Sequence, residues 1–259
     1  MRDYFLKTIP ILCKLLICTL LLSISLPDEP AHSGTWRVIP IRLEFDQRSR
    51  SGVVTITNDS DEKISFSIEA REWVQNEEGK DQYTETLDLL FFPKVLSIDP
   101  HSERIIRAGI KSPALKKEKT YRLFIKQEVP PEERSGTTVA IAIRFGVPIF
   151  SKPSVEEIKG AIAQTIIQQG AMKIDLRNNG NVHFRVAKIK LSGKNTSGAQ
   201  ILSQELDGGY LLAGTARIFE TVLSEDVCTE LRDIDIQVTS DRFHLSGKID
   251  VDKAMCLTP

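Results

Sequence analysis

The stretch TTVAIAIRFGVPIF, Thr137 to Phe150, decides how the rest of the chain is read. Its odd positions Val139, Ile141, Ile143, Phe145, Val147 and Ile149 are all apolar, and Ala140, Ala142, Arg144 and Gly146 between them are small or charged. Side chains of period two fall on opposite faces of a β-strand, so the pattern predicts a strand with one continuous apolar face. The run follows a polar loop and ends at Pro148. That face either lines the protein's own core or is offered to another molecule.

Upstream, short alternating runs are separated by turn residues: WRVIPIRLEF, GVVTITN, ISFSIEAREWV, KVLSIDP, RIIRAGI and TYRLFIKQEV. Clusters such as Asn58-Asp59-Ser60-Asp61 and Asp99-Pro100-His101 punctuate them. Such spacing predicts an immunoglobulin-like β-sandwich. In PIFSKPS, Pro148 and Pro153 are expected to break the ladder and form a stiff joint. The pattern resumes with AIAQTIIQQG, AMKIDLRNNGN, HFRVAKIKL, GGYLLAGTARIFETVL, DIDIQVTS and FHLSGKIDV. The β-branched residues of Val155 to Gln169 favour a strand over a helix. The expected fold is all-β, with two immunoglobulin-like sandwiches over residues 34–150 and 151–259.

Residues 1–33 carry basic Arg2, Lys7 and Lys14, an apolar core from Leu15 to Leu26, and small residues around Ala31-His32-Ser33. They read as a secretory signal cut after Ser33, because the apolar core is short of the roughly 20 residues a spanning helix needs. Export follows, without stable membrane insertion after cleavage. Cys228 and Cys256 remain in the mature chain. In an exported protein the pair is a disulfide candidate, two independent buried thiols being the alternative.

A formal charge of -1, from 34 basic and 35 acidic residues, supplies no global attraction to nucleic acid. The scattered histidines, His101, His183 and His244 in the mature chain, form no metal-ligand spacing and are expected at the surface. SGKNTSG lacks the residues of a phosphate loop and reads as a polar turn. Asn58-Asp59-Ser60 and Asn195-Thr196-Ser197 match a glycosylation acceptor, a pattern that turn chemistry explains equally well. No nucleophile and base are recognisable by spacing, so neither catalysis nor a cofactor is expected.

The segments IRLEFDQRSRSGVVTITNDSDE, AREWVQ, FPKVLSIDPHSERIIR, YRLFIKQEVPPE and VAIAIRFGVPIFSKP, in this order, resemble the PapD-like periplasmic pilus chaperones. Beyond Pro153 the resemblance is looser, resting on DLRNNGNVHFRV and GGYLLAG. It implies a boomerang of two sandwiches that holds pilus subunits by donor-strand complementation and passes them to an outer-membrane usher. On this reading Val139, Ile141 and Ile143 occupy the donor positions. Arg42 falls on the family's cleft arginine, which grips a subunit's terminal carboxylate. The family's cleft lysine would fall on Pro148, so the chain departs from the pattern there, leaving Arg144, Lys152 or Arg107 as substitutes. The short VPPEERSGT loop is similar to that of chaperones serving rod-forming pili. The competing reading is a structural or adhesive immunoglobulin-like surface protein, since a sandwich alone does not determine function.

Overall fold

The computed structural model describes residues 36–128 and 141–257. The segment read as a secretory signal, and residues 129–140 with the donor candidate Val139 among them, lie outside these residues. In the first half, β1 (Trp36–Ile39), β3 (Ser51–Asn58), β8 (Glu103–Ile110) and β6 (Leu89–Phe92) form one sheet, in that order. The facing sheet runs β2 (Leu43–Phe45), β10 (Arg144–Ser151), β9 (Lys119–Glu128), β4 (Ile64–Gln75) and β5 (Asp81–Glu85), with β7 (Val95–Ile98) also on β4. The run WRVIPIRLEF is therefore two strands in two sheets, divided at Pro40 and its neighbours.

Alternation supplies the core between these sheets. Val54 and Ile56 point inward at 0% exposure, while Thr55 and Thr57 turn outward. They meet Phe66, Ile98, Leu123, Ile125, Val147 and Ile149, all fully buried. Each such aliphatic side chain contributes about 1.5–3 kcal/mol by leaving water.

The second half repeats the plan with β11 (Gly160–Gln168), β12 (Ala171–Asn178) and β15 (Ala216–Val222) facing β14 (Gln200–Leu211), β13 (Phe184–Asn195), β16 (Leu231–Ser240) and β17 (His244–Asp250). A separate core of Met172, Ile174, Val186, Ile189, Leu191 and Ile234 lies between them. The protein is thus two β-sandwiches in sequence. The strand expected from Val155 begins at Gly160. A short helix, α1 (Glu225–Glu230), was not legible in the alternation.

The same asparagine device closes a strand in each sandwich. Asn58 Nδ2 donates to the carbonyls of Glu62 (2.7 Å) and Ile98 (3.1 Å), and Oδ1 accepts from Ser60 N–H (3.0 Å). Asn178 Nδ2 donates to Val182 (2.8 Å) and Leu211 (3.1 Å), and Oδ1 accepts from Gly180 N–H (2.9 Å). Both amides are buried and satisfy carbonyls where the chain leaves the ladder. Asn58 therefore serves its turn rather than presenting a glycosylation acceptor. Asn195 likewise accepts from Ser197 and Ala199 N–H in the β13–β14 turn.

Pro148 corrects an expectation, because it sits inside β10 and pairing continues to Ser151. Gln127 N–H donates to the Ile143 carbonyl (2.9 Å), and Lys152 N–H donates to the Phe45 carbonyl (2.8 Å). Odd-numbered residues of β10 thus turn their backbone groups to β9 and even-numbered ones to the β2 side. The N–H that proline lacks would face the β2 side, where pairing starts only at Ile149 opposite Leu43. The segment joining the sandwiches is Lys152 to Lys159.

Cys228, on α1, is bridged to Cys256, which follows a 3-10 turn at Lys253–Met255, and both are buried in the second core. Their separation of 28 residues closes a loop worth roughly 3–4 kcal/mol in the chain-entropy description. Reducing the bond, or the double change Cys228→Ser and Cys256→Ser, is expected to lower amide-exchange protection in β12, β13 and β16 while β3 and β8 keep theirs. Equal losses in both sandwiches would show that the bond stabilises the molecule as one unit.

Candidate functional site

The apolar face of period two divides along its length. Val147 and Ile149 are fully buried in the first core, and Phe145 is half-buried against it. Ile143 is 43% exposed and Ile141 is 77% exposed. β10 begins at Arg144, so Ile141 and Ile143 precede the paired strand rather than belonging to it. From Arg144 to Pro148 one side of β10 pairs with β9, and no strand among the described residues pairs with the other side. Exposed aliphatic side chains therefore lead directly into an open strand edge.

The outward face of this sheet carries a row of cations. Arg42 directly precedes Leu43, the partner of Ile149, and so falls alongside Pro148. Pro148 is in register with Arg122 on β9, and Arg122 with Arg71 on β4. Arg71 is paired with Glu69 and Glu85. Arg42 Nε lies 3.2 Å from Glu44, which also takes Lys152 Nζ at 2.7 Å. Arg122 lies 3.9 Å over the Trp73 ring, and its Nη1 donates to the Gly146 carbonyl at 3.1 Å.

The three substitutes for the family's lysine separate in space. Lys152 joins Arg42 on the Glu44 carboxylate. Arg144 is paired with Glu69 (3.3 Å) and stacks over Phe124 (3.6 Å). Arg107 is on the other sheet, between Val53 and Phe92, and takes no part in this row.

The second sandwich borders the same face. Trp73, Phe150 and Leu212 form a small core of their own, with Tyr210 packed against it. His183, expected at the surface, is instead 2% exposed and corrects that expectation. Its Nδ1 lies 2.8 Å from Glu118 Oε2, its backbone N–H donates to the same oxygen at 2.8 Å, and its ring stacks on Phe150 at 3.5 Å between centroids. Burial of the pair follows from the two sandwiches meeting there, which nothing in local spacing announces. Gln75, also not singled out by sequence, donates to the Tyr210 carbonyl (2.8 Å) and accepts from Leu212 N–H (3.0 Å) and Thr215 Oγ1 (2.9 Å). Among the described residues no cluster of three His, Cys, Asp or Glu side chains is placed to hold a metal ion.

Partial burial pushes the Glu44 carboxyl up, but the Lys152 hydrogen bond and the charges of Lys152, Arg42 and His183 outweigh it and hold it below the usual carboxylate range. A depressed carboxyl stabilises the fold above the unfolded-state value, and this contribution is lost as pH falls through the folded-state value. Glu44→Gln is therefore expected to cost about 1 kcal/mol or less at neutral pH, the site being one-third exposed. The gap between wild type and variant in urea midpoint should close as the pH falls to about 3. A gap unchanged by pH would show that the ion pairs contribute nothing.

No curated protein matches the sequence. Residues 37–156 match the family described as "Pili and flagellar-assembly chaperone, PapD N-terminal domain". Among solved structures, the fold is similar to a chain of the CsuC-CsuE chaperone-tip adhesion subunit pre-assembly complex of Acinetobacter baumannii, with 20% identity, TM-score 0.50, and coverage of 72% of this chain and 90% of that one. It is also similar to the class 5 fimbriae chaperone CfaA, at 17% identity and TM-score 0.51, covering 82% and 98% respectively. The YadV chaperone matches at 12% identity and TM-score 0.53, covering 84% of this chain and 100% of that one. At these identities the structures speak to the fold alone, and the family match carries the relationship. Residues 37–156 are therefore an N-terminal domain of the PapD type, the kind described for pili and flagellar-assembly chaperones.

Proposed function

We propose that this protein is a non-enzymatic periplasmic chaperone that holds pilus subunits by lending them the strand that begins around Val139 and runs into β10. The observation that carries the reading is the change in burial along one face, from Ile141 at 77% and Ile143 at 43% to Val147 and Ile149 at 0%. A strand of purely internal function has no reason to extend its aliphatic alternation past the end of its own core.

A sandwich subunit lacking one strand exposes a sheet edge and a strip of core, and both drive aggregation. Laying an extended segment into that groove satisfies main-chain N–H and carbonyl groups, which gives affinity independent of sequence, while alternate side chains enter pockets and determine register. Val139, Ile141 and Ile143 are the side chains proposed for those pockets. Val139 lies outside the described residues. Arg42 is proposed to receive the subunit's terminal carboxylate, its side chain being 45% exposed and, among the described residues, ion-paired with Glu44 of β2 alone. Residues 1–33 are proposed to direct export, and an outer-membrane usher to receive the loaded complex. The adhesive alternative gives no account of exposed aliphatic residues leading into an open edge next to a cationic row.

Burying three aliphatic side chains contributes about 1.5–3 kcal/mol each before the costs of ordering and association. Ile141→Asp would place a carboxylate in an apolar pocket, a penalty of several kcal/mol. Co-purification with the candidate subunits should be lost, while the melting temperature stays near wild type because Ile141 touches little of its own domain. An Ile141→Asp protein that still captures subunits would overturn the donor-strand reading. One that unfolds would place Ile141 in this protein's own core.

A further inference from the structure

The end of the first sandwich nearest the Lys152 to Lys159 link carries a concentration of positive charge that the near-neutral composition hides. The β2–β3 loop holds Arg48 and Arg50, and the β8–β9 loop holds Lys111, Lys116 and Lys117, all exposed. The two loops are bound together: Gln47 Nε2 donates to the Ala114 carbonyl at 2.5 Å, and Ile110 N–H donates to the Arg50 carbonyl at 3.0 Å. None of the five cations forms an ion pair among the described residues, whereas Lys119 and Lys152 beside them take Asp88 and Glu44. The acids of this end are already engaged. Asp46 accepts the N–H groups of Arg48 and Ser49 at 2.7 and 2.6 Å, and Asp88 holds Lys119 at 2.8 Å. Five like charges without counter-charges repel one another, so the fold gains nothing from gathering them.

An aliphatic side chain projects from among these charges. The β8–β9 loop is pinned on both sides of Leu115: Ala114 is buried and its N–H donates to Ser151 Oγ at 3.2 Å, and the Lys116 carbonyl accepts from Asn181 Nδ2 at 2.9 Å. Leu115 itself is left 72% exposed. Asn181 Nδ2 also reaches the Val155 carbonyl at 2.9 Å, which brings Val155, likewise exposed, to the border of the patch. On that border Glu156 is paired with Lys152, and Glu157 is the exposed acid that opposes the cations. An aliphatic tip ringed by lysine and arginine joins the two features that an anionic bilayer surface rewards, apolar area for the headgroup layer and positive charge for the surface potential. An acidic protein partner would answer the cations, but it gives no reason for a pinned loop to hold a leucine out in water.

We propose that this end of the first sandwich is a peripheral docking surface for an anionic lipid bilayer, with the five cations on the headgroup phosphates and Leu115 entering the headgroup layer. The contact is peripheral, since no helix among the described residues is long and apolar enough to cross a membrane. β10 ends at Ser151 beneath the patch and begins at Arg144, about 23 Å away at the rise of an extended strand. The exposed Ile141 and Ile143 precede Arg144 and so lie at the end away from the bilayer. The docking surface goes beyond the chaperone reading and does not rest on it.

The test is co-sedimentation of the full mature protein with vesicles of pure phosphatidylcholine and with vesicles in which part of that lipid is replaced by phosphatidylglycerol. Binding is expected to the phosphatidylglycerol vesicles alone, and it should fall as salt screens the exposed charges. The double change Lys116→Ala and Lys117→Ala should weaken partitioning about 25-fold, at about fivefold for each cation near the surface. Leu115→Ser should weaken it several-fold through the lost apolar contact. Leu115→Trp should show a blue shift of its emission with phosphatidylglycerol vesicles and none with phosphatidylcholine. All of these side chains are exposed, so melting temperatures should stay near wild type. Partitioning that is unchanged in the double variant, or in Leu115→Ser, overturns the proposal. Equal partitioning to both lipids overturns it too, because charge then plays no part. Binding to poly-glutamate without binding to phosphatidylglycerol would overturn it in favour of an acidic protein partner.

Discussion

The structure depends on one pairing constraint: β10 is bonded along its whole length to β9, yet only its last three residues are bonded to β2. Where both sides are occupied, Ile149 is fully buried and the first core closes over it. Where only β9 is present, backbone groups of the even-numbered residues face outward without a strand to receive them. Ahead of β10, Ile143 meets β9 through its carbonyl, and the side chains of Ile141 and Ile143 are exposed. One uninterrupted alternation thus serves as core at one end and as an exposed apolar strip at the other. The difference is made by a partner strand about a hundred residues earlier in the chain.

The joint between the sandwiches is built from polar groups that each half leaves unmet. Gln75, at the end of β4, satisfies the backbone of the Tyr210 to Leu212 segment, and Glu118 satisfies both the ring and the backbone N–H of His183. Asn181 adds a bond to the Lys116 carbonyl at 2.9 Å. Trp73, Phe150 and Leu212 exclude water around them. Removing one partner while the joint stays closed would leave a buried carboxylate or a backbone group unpaired, at a cost of about 1–3 kcal/mol or more. These bonds and the apolar cluster fix the cationic row of the first sandwich against the second.

Charge on this face is distributed by which carboxylates each strand supplies. Glu69 and Glu85 lie beside Arg71, and Glu44 lies between Arg42 and Lys152. Arg122 faces Pro148 on one side and Arg71 on the other, and neither brings a negative charge. Its stabilisation comes from the faces of Trp73 and Tyr210, which depend on the joint. The joint and the cationic row are therefore one construction.

Much of the fold was legible in the chain. Period-two runs, turn clusters and the spacing between them identified two all-β sandwiches, and the pair of cysteines outside the segment read as a signal pointed to the bond between Cys228 and Cys256. The roles proposed for Arg42 and Ile141 come from motifs that follow one another in order. His183 was misjudged because its surroundings come from Glu118, 65 residues away, and from Phe150 on another strand. Gln75 and Arg122 gave no sequence signal, since a glutamine at the end of a strand and an arginine within one are ordinary surface residues until a second domain covers them. Pro148 was read as a break because proline has no N–H, but which side of the strand that N–H would face depends on the register with β9 and β2. Alternation is a local property, governed by backbone geometry residue by residue, and so sequence by itself determined the strands and their two faces. What covers each face is decided by strands and a domain brought together over distances such as the 137 residues between Gln75 and Leu212, and only the tertiary structure could assign one face to the core and one to solvent.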